Sequence, residues 1–159
     1  MSKSVKEKRV KAVPVWLGIL VFLAAFGAGV VSKTAVNPAW SKDYSVQWSD
    51  ALGTLKTDLP YGEGEANKFD LYLPAAGGRD SYGLVVYLHA GGFTMGDKAD
   101  DRDMLAWLCS KGYVAAGINY TLRDEAHPEA SVLTQSTEIK AAVPQVIQAA
   151  EKAGYPIDK

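Results

Sequence analysis

Leu84-Val85-Val86-Tyr87-Leu88-His89-Ala90-Gly91-Gly92-Phe93-Thr94-Met95-Gly96-Asp97 is the stretch that decides the fold. Five apolar residues in succession read as a strand covered on both faces, as strands of parallel sheets flanked by helices are. Glycines placed directly after such a strand let the backbone turn tightly. They leave N–H groups directed into the cleft at the strand's carboxyl end, where open α/β sheets bind ligands. Two such N–H groups can hold the negative oxygen that develops when an ester carbonyl is attacked, each contributing roughly 3–4 kcal/mol. Two other glycine-rich loops fail on the same residues. A phosphate-binding loop needs lysine after its last glycine, and Asp97 follows Gly96; a dinucleotide fingerprint needs Gly-x-Gly-x-x-Gly, whereas these glycines fall at 91, 92 and 96.

Downstream, Tyr113 to Ile118 is a second near-continuous apolar run. Between the two, Met104, Leu105, Leu108 and Cys109 recur at helical spacing within Lys98 to Lys111, with Gly112 as the stop. Strand, helix, strand predicts a parallel crossover. Cys109, the single cysteine, lies in the apolar run of that helix and is expected to be a buried thiol. Upstream, Thr54 to Leu59 and the alternating Lys68 to Leu73 are separated by Pro60-Tyr61-Gly62-Glu63-Gly64, which predicts an antiparallel hairpin. From about Thr134 to Lys152 one apolar face (Ile139, Ala142, Val143, Val146, Ile147, Ala150) predicts a long helix, broken or kinked at Pro144.

The chain's first part obeys a different pattern. Residues 1–11 carry five basic side chains against Glu7 alone, a net +4, and Ala12 to Val31 then run for twenty residues without a charge. At about 1.5 Å per residue a helix of that length spans the ~30 Å hydrocarbon layer of a bilayer. The expected organisation is a basic cytoplasmic tail (1–11), a transmembrane signal anchor (12–31), a turn-rich connector (32–53) and an α/β domain (54–159) facing away from the cytoplasm, since positive flanks stay inside. Small residues around Ala28-Gly29-Val30 leave cleavage and secretion as the alternative. The overall charge of −1 leaves −5 on residues 12–159, which speaks against a nucleic-acid partner. Trp40, Tyr44 and Trp48 in the connector fit either a lipid interface or the domain surface.

These segments resemble the α/β-hydrolase esterases and lipases, in the branch similar to hormone-sensitive lipase and the feruloyl-esterase-like carboxylesterases. His89-Ala90-Gly91-Gly92-Phe93 is similar to the family's His-Gly-Gly-Gly oxyanion loop. Phe69-Asp70-Leu71-Tyr72-Leu73-Pro74 and Gly117-Ile118-Asn119-Tyr120-Thr121-Leu122 are similar to its "DLYLP" and "NYRL" segments, in the expected order. The resemblance implies that the backbone N–H groups of Gly91 and Gly92 form an oxyanion hole for a small-molecule ester, with His89 and Ala90 shaping the loop. It implies no cofactor and no metal. Ala90 stands in place of a glycine, harmless only if its φ is negative. Thr121 stands where an arginine is usual, which implies the loss of a side-chain anchor.

The family's nucleophile sits in Gly-x-Ser-x-Gly, followed by an acid and a histidine. None of the ten serines has glycine at both flanking positions, and of the two histidines, His89 belongs to the loop and His127 to a turn. Ile157-Asp158-Lys159 resembles the point just before the nucleophile strand, so a truncated hydrolase is expected: an oxyanion loop without nucleophile or base. The competing expectation is a catalytically inactive, anchored binding module.

Overall fold

The computed structural model describes residues 14–35, 44–75 and 77–158. The chain divides into two compact units, 1–42 and 43–159.

In the first unit, α1 (Val15–Ala35) is one uninterrupted helix. Its large apolar side chains, Trp16, Ile19, Phe22 and Phe26 among them, are exposed. Over residues 15–30 it is therefore apolar all round rather than along one stripe. Among the residues described through their side chains, which in α1 end at Val30, no helix is long and apolar enough to cross a membrane. The basic tail 1–11 lies outside the described residues, as do Trp40 and the middle of the connector.

The second unit is a four-stranded sheet in the order β1-β2-β4-β3, with β1 Gly53–Pro60, β2 Lys68–Pro74, β3 Leu84–Leu88 and β4 Val114–Ile118. β1 and β2 pair antiparallel as expected from the intervening turn, and β3 and β4 pair parallel, Leu84 opposite Val114 through Leu88 opposite Ile118. The register of the first pair shifts between Lys56 and Leu59, a bulge at which Asp58 takes φ +56°.

Side chains alternate across a strand, and here both faces are covered. On one face Phe69, Leu71 and Leu73 of β2 and Val114, Ala116 and Ile118 of β4 pack against Ala142, Val146 and Ala150 of α3 (Val132–Lys152). On the other, Tyr72 and Ala115 meet Leu105 and Cys109 of α2 (Arg102–Ser110). This two-sided cover explains why β2 is buried from Phe69 to Pro74 although its sequence alternates. Cys109 is buried, as expected of an apolar-run thiol. Tyr44 and Trp48 settle on the domain, edge-on to Trp107 (5.0 Å) and Tyr72 (5.4 Å).

Two expectations about helices are corrected. Residues 98–101 form turns, not the first turn of α2. Asp97 Oδ1 accepts from the Ala99 N–H at 2.8 Å and Asp100 Oδ2 from the Asp97 N–H at 2.9 Å, local bonds that compete with helix. Pro144 neither breaks nor ends α3. The donor it lacks belongs to the solvent side, where Lys140 and Pro144 are exposed, while the sheet-facing alanines and valine hold the helix down.

Candidate functional site

The glycine-rich loop leaves the carboxyl end of β3. His89 turns inward, 4% exposed, its ring stacked on Tyr120 with centroids 4.4 Å apart. The Tyr120 hydroxyl donates to the His89 carbonyl at 2.9 Å, and His89 Nδ1 lies 3.0 Å from the Ala90 carbonyl. A carbonyl only accepts, so Nδ1 donates to it, and in the neutral ring Nε2 is left as the acceptor. Nε2 is buried without a partner among the described residues. His89 touches no hydroxyl placed as a nucleophile.

Beyond it the backbone enters the left-handed half of φ space: Gly91 at +130°, Gly92 at +61°, Phe93 at +71°, Gly96 at +113°. A Cβ on Gly91 would lie 1.9 Å from the Met95 carbonyl oxygen, and one on Gly96 2.3 Å from both the Ala90 carbonyl oxygen and His89 Nδ1. Neither position can accept a side chain without opening the loop. Ala90 is not among the positive-φ residues, so alanine carries no backbone penalty there. Among the described residues no acceptor lies on the Gly91 or Gly92 N–H.

Side chains outside the loop hold it in place. Asn119, at the end of β4, accepts from the Lys98 N–H (2.6 Å) and donates to Asp97 Oδ2 (2.8 Å). Lys98 sends its ammonium into the sheet, 2.9 Å from Asp70 Oδ1 and 3.1 Å from Asp58 Oδ1. Burial opposes that charge, but the two carboxylates outweigh it and hold the lysine pKa above its ordinary value. Gln135 of α3, 1% exposed, donates to the carbonyls of Phe93 (3.1 Å) and Thr121 (2.8 Å), and the Arg123 N–H donates to the same Phe93 carbonyl at 3.0 Å. The anchor thought lost with arginine at position 121 is present in another form. Glu138 accepts from the Thr121 N–H at 2.7 Å and hydroxyl at 2.8 Å.

Beside the loop opens a cavity of about 640 Å³, whose lining includes His89, Gly96, Asp97, Asn119, Tyr120 and Glu138. Gly91 and Gly92 do not line it; they stand at the tip of β3. His127 reaches the cavity and pairs through Nδ1 with Asp124 Oδ1 at 2.9 Å, both half exposed, in the turn where sequence placed it. The His127 backbone N–H and ring together hold the Asp124 carboxyl below its ordinary range. Burial pushes Asp97 up, but the Asn119 amide and the Ala99 N–H outweigh it and keep that carboxyl below its ordinary range as well.

No described serine stands at the loop as a nucleophile. Ser131 caps α3, while Ser110 and Ser136 donate to carbonyls of their own helices. Among the described residues no group of three or more histidine, cysteine or carboxylate side chains is gathered as a metal would require.

Helices on both faces of a sheet, with a clamped glycine loop at the carboxyl tip of its parallel edge strand, define an α/β-hydrolase-type architecture. The chain belongs to the BD-FAE family, whose model matches residues 69–159. Kynurenine formamidase of Salmo salar is 32% identical over 100 residues, covering 62% of this chain and 32% of that protein. The Danio rerio kynurenine formamidase is 31% identical over 91 residues, covering 57% and 29%. The chain thus spans about a third of the length of these curated relatives. Esterase B from Lactobacillus rhamnosis superposes with a TM-score of 0.59 at 22% identity, over 87% of this chain and 42% of that one. A truncated carbohydrate esterase from gut microbiota gives 0.55 at 23% identity, over 70% and 38%. At these identities the structural likenesses speak for the fold.

Proposed function

We propose that these residues are the oxyanion-loop half of a membrane-anchored, extracytoplasmic serine hydrolase of carboxylic esters. The observation that carries the reading is the loop itself. Gly91 and Gly92 lie in the loop that follows a parallel strand, with N–H groups that no described acceptor takes, in a backbone fixed by Asn119, Lys98 and Gln135. Preorganised donors of this kind act where charge develops in the transition state and need no reorganisation as it forms. The nucleophilic serine, its base and the acid would come from sequence outside residues 1–159. Relatives named kynurenine formamidase make formamide cleavage the sister reaction to ester hydrolysis; both pass through a tetrahedral oxyanion. The anchor is supported by the twenty uncharged residues from Ala12 to Val31 behind a basic flank and by the all-round apolar surface of α1. The absence of any Gly-x-Ser-x-Gly in the sequence favours the second reading, an inactive binding module.

The test expresses the chain both as residues 1–159 and together with whatever coding sequence follows codon 159, and assays short-chain aryl esters. Turnover by the extended product, abolished by a serine-directed phosphonate and absent from 1–159, is the expected result. Should neither product turn over any ester or formamide, the hydrolase reading is wrong and the binding module stands. A periplasmic-reporter fusion after Asp43, with carbonate extraction, tests the anchor.

A further inference from the structure

We propose that the cavity beside the oxyanion loop is a recognition site for a primary ammonium group. The proposal rests on the hydrolase reading only for its biological use, as the pocket for a positively charged arm of the substrate. Five carboxylates line the cavity (Glu65, Asp97, Asp124, Glu129, Glu138), and no lysine or arginine does. Glu65 and Glu129 have no ion-pair partner among the described residues. Walls of one sign concentrate counter-ions.

The hydrogen-bonding inventory points the same way. The lining side-chain donors are engaged inside the protein: the Asn119 amide by Asp97, the Tyr120 hydroxyl by the His89 carbonyl, the Thr121 hydroxyl by Glu138, the Thr134 hydroxyl by the Ser131 carbonyl, and the His127 ring, through Nδ1, by Asp124. Acceptors remain. His89 is the most telling of them, because it is 4% exposed, lines the cavity and has an unpartnered Nε2. Its Nδ1–Cε1 edge packs against Ala90 and Gly96 and one ring face against Tyr120. A wall that offers lone pairs and negative charge fits a ligand that brings protons and positive charge, and an ammonium brings three donors.

The test uses the full chain in non-ionic detergent micelles at neutral pH and low salt, titrated with n-butylammonium and, separately, with n-butanol. Backbone and imidazole nitrogen resonances provide the readout. Butylammonium is expected to move the Asp97, Tyr120 and Thr121 amides and His89 Nε2, with n-butanol leaving them in place. The paired substitution Glu65→Gln and Glu129→Gln, on two exposed side chains, is expected to weaken binding roughly fivefold, and added salt to do likewise. Equal shifts from n-butanol, shifts confined to other surfaces, or unchanged affinity in the double variant would overturn the proposal. Butylammonium has no carbonyl, so its failure to bind would leave the oxyanion reading untouched, and failure of ester turnover would leave this site untouched.

Discussion

Replacing Lys98 by methionine removes the cation between Asp58 and Asp70 while keeping the bulk of the stem. The two carboxylates do not weigh equally. Asp58 is 63% exposed and its pairing is screened by water, worth at most about 1 kcal/mol. Asp70 is 0% exposed, its Oδ2 has no partner, and without Lys98 its charge would be stranded against the sheet. Removing one member of a buried pair destabilises by about 3–5 kcal/mol. With a urea dependence of about 1–3 kcal/mol per M, the unfolding midpoint of the full chain in detergent should fall by roughly 2 M. Fluorescence of Trp48 and Trp107, which pack on Tyr72 and Tyr44, reports the transition. The sign of the pH dependence follows from the raised lysine pKa. Protonation in the fold is favoured, so the stabilisation is fully present at neutral pH and disappears only as pH rises through the folded value. The gap between wild type and Lys98→Met should therefore close in strong alkali. Adding Asp70→Asn should restore most of the loss, because the stranded charge is gone and an amide oxygen still accepts from the Asp58 N–H. A midpoint shift below about 0.5 M, or a double variant no better than the single one, would refute the reasoning.

Gly96→Ala should open the loop even though the added atom is one methyl, since it would meet the Ala90 carbonyl and His89 at 2.3 Å with φ at +113°. Hydrogen exchange should speed up in the peptide spanning 90–97 and stay unchanged in α3, and equal protection in both proteins would contradict the clash. Cys109 should ignore a disulfide reagent at pH 8 until the domain unfolds, because burial lifts its thiol to about 11. The fold keeps that proton while the unfolded chain releases it from about pH 8.5. Stability should accordingly fall as pH rises through that window, and Cys109→Ala should flatten the slope; an unchanged slope would assign it elsewhere.

The hairpin, the crossover and the loop's place directly after an apolar strand were legible because each rests on a local pattern. Turn residues separate β1 from β2, apolar runs mark β3 and β4, and helical spacing marks α2 and α3. What escaped were contacts between distant positions. Lys98 reads as the start of a helix because nothing nearby reveals that Asp70, twenty-eight residues earlier, sits buried opposite it. Thr121 reads as a lost anchor because Glu138, which replaces the arginine's hold, lies one helix away. Pro144 reads as a break or a kink, and the break does not occur, because its missing donor is visible in sequence and the sheet-facing packing of Ala142 and Val146 is not. Gln135 carried no signal of its own: a polar residue near a helix start is ordinary on a surface, and only its burial against two loop carbonyls reveals the duty.

The glycines therefore explain less of the site than a motif implies. Gly91, Gly92 and Gly96 make the left-handed backbone accessible, but free glycine visits both halves of φ space with similar ease, so they do not choose it. Phe93 shows that selection comes from elsewhere. A phenylalanine at φ +71° is disfavoured by about 1–2 kcal/mol, and its carbonyl is gripped by both Gln135 and the Arg123 N–H, bonds that offset that strain only in this conformation. The loop's shape is then a property of β4, α3 and the β2 carboxylate together. A chain holding the glycines without Asn119, Lys98 and Gln135 would keep the motif and lose the geometry.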